Sequence, residues 1–399
     1  MGGTGLAVLA AGTIAALAPP APADDLAEEA PDRLRLGVEM RVLYDDNILR
    51  LDEGRAAPPD RSRDDVRTTV AAVADVAQRV SRQRLFLRGA AGYDFYARNR
   101  FLRRERIDAT GGVDWRVGSR CDGEASLGYG RGQTNLEELG ALVRNTRDSR
   151  TLLLDGGCTI GVGWRPEVGY RRRSVDNSAP VRRRSDLEAE RVSAGLAYGR
   201  SERLTVALAV ARERLDFPHR PLGDRRHDAT RLGSAVARVT WRGGGLIAGG
   251  TLGYAEADSR GVETRDFAGL VGGASLAWSN GGRLRLTAAL RRDLDASGDV
   301  AAGYFVADRG EAAARYRIGR AVDVELGGLL ERRRFRAVDA ASVGARSFDR
   351  SVELRAALGW SPVDRARIGL EAVHARRTTD AAFGTYRSTR GQLVLGLAF

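Results

Sequence analysis

The sequence predicts an all-β fold, a transmembrane antiparallel up-and-down β-barrel of about 18 strands, with roughly 16 also within the error of counting. Three observations predict it. Apolar and polar residues alternate with a period of two. Very short turns alternate along the chain with long polar connections, and aromatic residues recur at one end of every second strand. In such barrels the short turns are periplasmic and the long loops are extracellular.

The first and last strands show the alternation most clearly. From Leu34 to Tyr44 every second residue is apolar, while Arg33, Arg35 and Glu39 share the opposite face. The final stretch has the same pattern and stops at Phe399, as the closing strand of an outer-membrane barrel commonly does. An open sheet with one apolar and one charged face would aggregate at its edges, and closure into a barrel removes those edges.

The breaks between strands are of two kinds. Short turns are expected at eight places, among them Arg165–Pro166 and Ser361–Val363. Long connections rich in Pro, Asp, Asn and Arg are expected between them, including those near 216–228 and 294–309.

An aromatic girdle is expected at the short-turn end, because every Trp immediately precedes a short turn and amphipathic rings favour the membrane–water interface. Its members are Trp115, Trp164, Tyr198, Trp241, Trp278, Tyr316, Trp360 and Phe399.

Composition excludes other classes. The chain has 399 residues and a mean hydropathy of −0.31, so no segment after the N-terminus is long and apolar enough for a membrane helix. The net charge is +12, and all 64 basic residues are Arg. These arginines alternate with apolar residues or lie between strands, so we expect no nucleic acid partner.

Three segments are expected. Residues 1–23 resemble a signal peptide, with an apolar run from Leu6 to Leu17 and a small-residue cleavage site at Ala21–Ala23, but the basic leader region is missing and the true start codon stays open. Residues 24–32 form an acidic periplasmic tail. Residues 33–399 form the barrel, in the outer membrane of a Gram-negative bacterium.

Cys121 and Cys158 fit an exported protein, and the predicted strands place them almost opposite each other. A cross-strand disulfide and a pair of small apolar-face residues are equally compatible with this placement.

No catalytic motif stands in a fitting context, so the sequence predicts no enzyme, no metal site and no cofactor. His219 and His227 share one predicted loop with Asp216, Asp224 and Asp228, but no spacing supports a metal or protease-like site there.

The inner face of the predicted barrel collects most of the candidate functional residues. Folding about the short turns places Arg116 near Asp122, Arg317 near Asp323 and Arg315 near Glu325. The charges either brace and hydrate the wall, or line a polar channel whose unpaired arginines favour anions. The predicted lining is Arg88, Arg106, Arg116, Arg203, Arg238, Arg285, Arg291, Arg315, Arg317, Arg355, Arg367, Asp108, Asp114, Asp323, Glu325, Glu353 and Glu371.

Three stretches carry a family resemblance: Leu43–Arg50, Arg144–Arg150 and the strand ending at Phe399. They resemble the outer-membrane β-barrel proteins of proteobacterial exopolysaccharide gene clusters. The resemblance implies a role in moving polysaccharide across the outer membrane, with a periplasmic export protein as partner.

The expected function is therefore a passive, hydrated conduit for exopolysaccharide. A general or anion-preferring porin for small solutes is the alternative, and a barrel plugged by its own residues Val300–Asp308 is a third. Expected partners are outer-membrane lipid and lipopolysaccharide, which would meet arginines such as Arg332–Arg334 near the loops, and the barrel-assembly machinery, which would read the strand ending at Phe399.

Overall fold

A computed structural model describes residues 32–133, 144–201, 203–222, 226–259, 266–297, 302–337, 347–381 and 384–399. The predicted signal peptide and all but the last residue of the acidic tail lie outside these ranges, as do Asp224, Val300 and Ala301. Among the described residues, no helix has the length and apolar character needed to span a membrane.

The described residues form one closed antiparallel sheet of 18 strands, which confirms the predicted fold class. Each strand pairs with its neighbours in sequence, and β1 pairs with β18 from Gly37–Ala398 to Asp45–Arg390 to close the barrel. The strands are β1 Arg33–Asp45, β2 Asp65–Val80, β3 Gln83–Tyr96, β4 Arg104–Val117, β5 Cys121–Gln133, β6 Thr146–Cys158, β7 Trp164–Asn177, β8 Leu187–Ser201, β9 Leu204–Leu222, β10 Arg226–Gly243, β11 Leu246–Ser259, β12 Phe267–Ser279, β13 Leu284–Ala296, β14 Ala302–Ile318, β15 Val322–Ala337, β16 Phe348–Val363, β17 Ala366–Thr379 and β18 Tyr386–Ala398.

Two predicted short turns are displaced. Arg165 and Pro166 lie inside β7, because the chain turns earlier, between Cys158 and Trp164. Ser361–Val363 lies inside β16, where a register irregularity between Trp360 and Val363 lets the strand run past the aromatic position. Pro166 is tolerated in β7 because it lies beyond the end of the β6–β7 ladder at Gly157–Glu167.

Two predicted long connections are shorter than expected. β9 runs on to Leu222 and β10 begins at Arg226, so most of 216–228 is paired strand. Similarly, β13 continues to Ala296 and β14 begins at Ala302, so only the middle of 294–309 is a connection. Turn-forming residues in these stretches are accommodated by strands that continue to pair beyond the apolar belt.

The two faces of the wall differ in chemistry. Leucine and valine at the outward positions are freely exposed, for example Leu34 at 68% and Leu252 at 66%. The inward positions carry most of the ion pairs, such as Arg33–Asp75 and Arg191–Glu213. A sheet that exposes aliphatic side chains all round its outside requires an apolar surrounding, and this architecture is that of a bacterial outer-membrane barrel.

The long-loop end of the barrel is capped by packed side chains near the seam. Ile48, Leu49 and Leu51, in the connection after β1, form a buried cluster with Tyr96 and Leu102. Two short 3-10 turns, Arg100–Leu102 and Pro180–Ser185, lie in this end as well.

Candidate functional site: a lumen narrowed by an inward hairpin

The ladder between β12 and β13 stops halfway up the barrel. The two strands pair only from Ser279–Arg285 to Gly272–Arg292. Beyond that point Phe267–Val271 pairs with β11 alone, and Asp293–Ala296 pairs with β14 alone. The tops of β13 and β14 therefore leave the wall together as a hairpin.

Glycine marks the point where the hairpin leaves. A Cβ at Gly272 would overlap the Thr251 carbonyl oxygen, and a Cβ at Gly273 would overlap the Leu290 carbonyl oxygen. Three backbones approach one another here too closely for any side chain, so this bend requires glycine.

The hairpin folds into the barrel and packs on the inner face of β7 to β11. Tyr304 of β14 is fully buried and shares one cluster with Ala296, with which it pairs, and with inward-facing residues of β7 to β11. β10 and β14 contact each other although four strand-to-strand steps separate them round the wall. The wall residues of this cluster are Val175, Leu187, Ala189, Leu215, Phe217, Leu232 and Ala257.

The contact between hairpin and wall is closely packed. Leu294 lies against a second cluster formed by Val236, Ala255 and Val271. The cavity left between Leu294 and this wall is only about 30 Å³, which leaves room for about two water molecules. Alternation alone would point Leu294 and Tyr304 at lipid, so the inward fold is what buries them.

The opposite face of the hairpin carries charges toward the remaining lumen. Arg291 pairs with Asp293 at 2.6 Å, and Arg309 pairs with Glu331 at 2.7 Å. Arg333 also pairs with Glu331, at 2.6 Å, and lies over the ring of Phe305. Because these charges largely pair with one another, the hairpin narrows the lumen without adding a patch of unpaired charge to it.

The third hypothesis from the sequence, a barrel plugged by Val300–Asp308, agrees with the structure in part. Tyr304–Val306 lies within the barrel, but as part of β14, paired on both sides, and not as a loose plug. Val300 and Ala301 lie outside the described residues.

The predicted lining residues lie on inward-facing strand positions, except Arg203, which lies in the turn before β9. The predicted partners are directly opposite in register, as for Arg317 with Asp323 and Arg315 with Glu325. The side chains nevertheless pair differently. Because a guanidinium reaches diagonal neighbours as easily as opposite ones, the predicted ion pairs were wrong.

The observed ion pairs are diagonal or reach the next strand. Asp122 pairs with Arg165 at 2.8 Å in place of Arg116, and Asp323 pairs with Arg315 at 3.2 Å in place of Arg317. Glu325 and Glu371 both pair with Arg355, at 3.8 and 2.8 Å.

This arrangement leaves positive charge unmatched within the predicted lining. Among its carboxylates, only Asp108 has no hydrogen bond or ion pair to the described residues; Asp114 pairs with Arg84 and Glu353 with Arg390. The guanidinium groups of several of its arginines have no such partner in the described part of the chain: Arg106, Arg116, Arg203, Arg238, Arg285, Arg317 and Arg367. Most of these lie close to the short turns, so they ring that mouth of the barrel.

The predicted girdle residues lie at the same mouth. Trp241, Trp360 and Tyr316 are each more than two-fifths exposed on the outer face. Trp164 begins β7 instead of ending β6, and its ring contacts Tyr198 on β8 at 4.7 Å between centroids.

Trp115 lies flatter on the wall than the others. A Cβ at Gly123 or Gly156, on the two following strands, would overlap its ring. The cysteines are close by: Cys121 and Cys158 lie opposite in register, with Cα atoms 4.0 Å apart, and are joined by a disulfide.

Two of the three stretches that carried the family resemblance, Leu43–Arg50 and Arg144–Arg150, form buried polar contacts at the long-loop end. Asn47 donates to the carbonyls of Leu51 and Arg387, at 2.8 and 2.9 Å, which ties β1 to β18 across the seam. Asn145 is fully buried and donates to Asn177 at 2.8 Å. Their side chains are committed to the wall and not to a ligand.

The described residues of the predicted histidine loop make hydrogen bonds and ion pairs with their neighbours. His219 hydrogen-bonds Asp186 at 2.9 Å, and the neighbouring Arg220–Asp228 pair is fully buried. Within the described residues, no three His, Cys, Asp or Glu side chains are placed to hold a metal ion.

Comparison with known proteins supports the fold. No family model and no curated protein sequence matches the chain. Among solved structures, it is similar to Pseudomonas aeruginosa OccK2 (OpdF), with a TM-score of 0.50 at 12% identity over 92% of this chain and 98% of that one. It also matches OccK2 in complex with glucuronate, at 0.49, 12% identity and the same shares of both chains. The siderophore receptor PirA from the same organism gives 0.45 at 12% identity, over 93% of this chain and 81% of that one. At this identity, the similarity to OccK2 establishes the barrel fold.

Proposed function

We propose that this chain is a porin-type channel of the outer membrane that passes small solutes and prefers anions. The observation that carries this proposal is the set of lining arginines whose guanidinium groups have no hydrogen-bond or ion-pair partner among the described residues, whereas Asp108 is the single carboxylate of the predicted lining in that position. A closed barrel with a hydrated, charged interior supplies the passage.

The size of the preference follows from the lining charge. Two opposite unit charges about 4 Å apart in water attract by about 1 kcal/mol, which corresponds to roughly fivefold enrichment of the anion. Several arginines near one mouth act on the same permeating ion, and salt screens them beyond about 10 Å at 0.1 M.

The inward hairpin favours small solutes over long polymers. Its Tyr304 and Leu294 occupy part of the cross-section that a wide conduit needs, and the contact with β7–β12 is closely packed. Export of exopolysaccharide remains the second candidate. The alternating arginine and carboxylate ladders support it, because they offer repeated weak contacts along which a sugar chain could slide.

Swelling of liposomes that contain the purified full chain separates the two candidates. We expect influx of gluconate and of glucose, with gluconate faster than an equally sized organic cation, and no influx of a dextran. Equal rates for anion and cation would contradict the anion preference, and dextran influx would favour the polymer conduit.

A matched pair of variants ties the result to the lumen. Arg317→Gln with Arg367→Gln removes two lining charges, and Arg150→Gln with Arg212→Gln removes two unpaired charges from the outer face. Only the first double variant is expected to slow gluconate relative to glucose. An equal effect of both would show that the surface charge of the whole barrel controls influx.

A further inference from the structure

Where the hairpin bends inward, the outer surface of the barrel carries a groove of about 720 Å³. Its lower part is apolar and is lined by Leu290 and Leu330, which are 67% and 45% exposed. Gly310 lies between them in register, on β14, and leaves the floor without a side chain. The groove thus begins within the apolar belt.

The upper part of the groove is a row of charges on four consecutive strands. Arg292, Asp308, Arg332 and Arg350 are successive register neighbours from β13 to β16, each one outward position above the apolar row. All four line the groove. The row lies toward the long loops, the side that faces the cell exterior in such barrels.

The arginines of this row exceed the carboxylate available to them. Asp308 pairs with Arg334 at 2.9 Å and with Arg292 at 3.5 Å. Arg332 and Arg350 lie directly opposite each other, are exposed, and form no hydrogen bond or ion pair with the described residues. Like charges in that position destabilise a strand pair unless an anion lies between them.

We propose that this groove binds a phosphorylated glycolipid of the outer leaflet. One acyl chain lies over Gly310 between Leu290 and Leu330, and a phosphate accepts hydrogen bonds from Arg332 and Arg350. Strands lie about 4.8 Å apart, so two opposed guanidinium groups can share the oxygens of one phosphate. The order from membrane outward, first apolar and then cationic, matches the order of chain and phosphate in such a lipid.

Thermal unfolding of the purified full chain in detergent tests this, followed by the loss of the folded band on unboiled gels. The probes are diphosphorylated lipid A, lipid A without its phosphates, and inorganic phosphate. We expect only the diphosphorylated lipid A to raise the unfolding midpoint. Equal protection by the dephosphorylated lipid, or by inorganic phosphate, would overturn the proposal.

The variant Arg332→Gln with Arg350→Gln should need about 30-fold more lipid A to reach half of the rise in unfolding midpoint. Each substitution removes the attraction of one arginine for the anionic lipid, and the two losses multiply to this factor. The outer-face control Arg150→Gln with Arg212→Gln should respond as the wild type does. Without lipid, the groove variant should unfold no earlier than the wild type, because it loses a repulsion. Equal lipid responses of the two variants, or a lower lipid-free midpoint of the groove variant, would refute the site.

Discussion

Replacing Tyr304 by alanine should release the hairpin from the inner face of β7 to β11 and widen the channel. Tyr304 is fully buried among residues of six other strands, and its ring is the largest group that the hairpin contributes to that contact. Truncation of a buried aromatic side chain typically costs about 3 kcal/mol or more. A loss of about 3 kcal/mol raises the proportion of released hairpin about a hundredfold.

Because β13 and β14 pair with each other along the whole hairpin and β14 pairs continuously with β15, the barrel itself should survive the change. Single-channel recording in planar bilayers is the assay. We expect higher mean conductance and greater open-channel noise for Tyr304→Ala, and a clearly smaller change for Tyr304→Phe, which keeps the ring. Unchanged conductance and noise in a folded Tyr304→Ala barrel would show that the hairpin does not limit the passage.

Three further outcomes are expected. Asn47→Ala should lower the unfolding midpoint by breaking the hydrogen bonds to Leu51 and Arg387 across the seam, at a cost of about 1–3 kcal/mol; an unchanged midpoint on heat-shift gels would refute this role. Cys121→Ser with Cys158→Ser removes a disulfide between residues 37 positions apart in sequence. The chain-entropy model puts the loss in free energy of unfolding at about 4 kcal/mol, which would be measured as unfolding at lower urea concentration under non-reducing conditions. Burial raises the pKa of Asp380, but hydrogen bonds from Ser347 and the Phe348 amide outweigh it and hold the pKa below 3.8. The hydrogen bonds to the Asp380 carboxylate are therefore fully formed above pH 3.8 and are lost as the pH falls through the lowered pKa of Asp380. Amide-exchange protection at Phe348 should drop only in acid, and a loss of protection near neutral pH would contradict this role.

The alternation in the sequence was sufficient to predict the barrel, its closure and the face of nearly every strand residue. Period-two patterns report which residues share a face, as for Leu34 to Tyr44 on β1. They do not report what that face meets. Leu290 and Leu294 have the same parity, yet Leu290 is exposed on the outside and Leu294 packs on the inner wall.

An inward fold of Val300–Asp308 was one of three alternatives, but the point where the hairpin leaves the wall could not be predicted because its cause is nonlocal. The ladder ends at Gly272–Arg292, where three backbones come together, and nothing in the alternation of β12 or β13 indicates that limit. The glycine pair Gly272–Gly273 was the available signal, but glycine is common throughout the chain, with 49 residues.

Side-chain pairing was predicted less well than register. Arg317 and Asp323 are opposite as expected, but Arg315 holds the carboxylate. Guanidinium reach makes several partners nearly equivalent, and the choice depends on the surrounding charges of neighbouring strands. That choice decides which arginines remain free, and it is the part of the site that required the structure.

The most direct test of an anion-preferring channel is the reversal potential of the purified chain in a planar bilayer under a KCl gradient. We expect the reversal potential to have the sign of the chloride equilibrium potential. Arg317→Gln with Arg367→Gln should shift it toward zero, and Arg150→Gln with Arg212→Gln should leave it unchanged. A reversal potential of the sign set by potassium, or no conductance at all, would contradict the proposal.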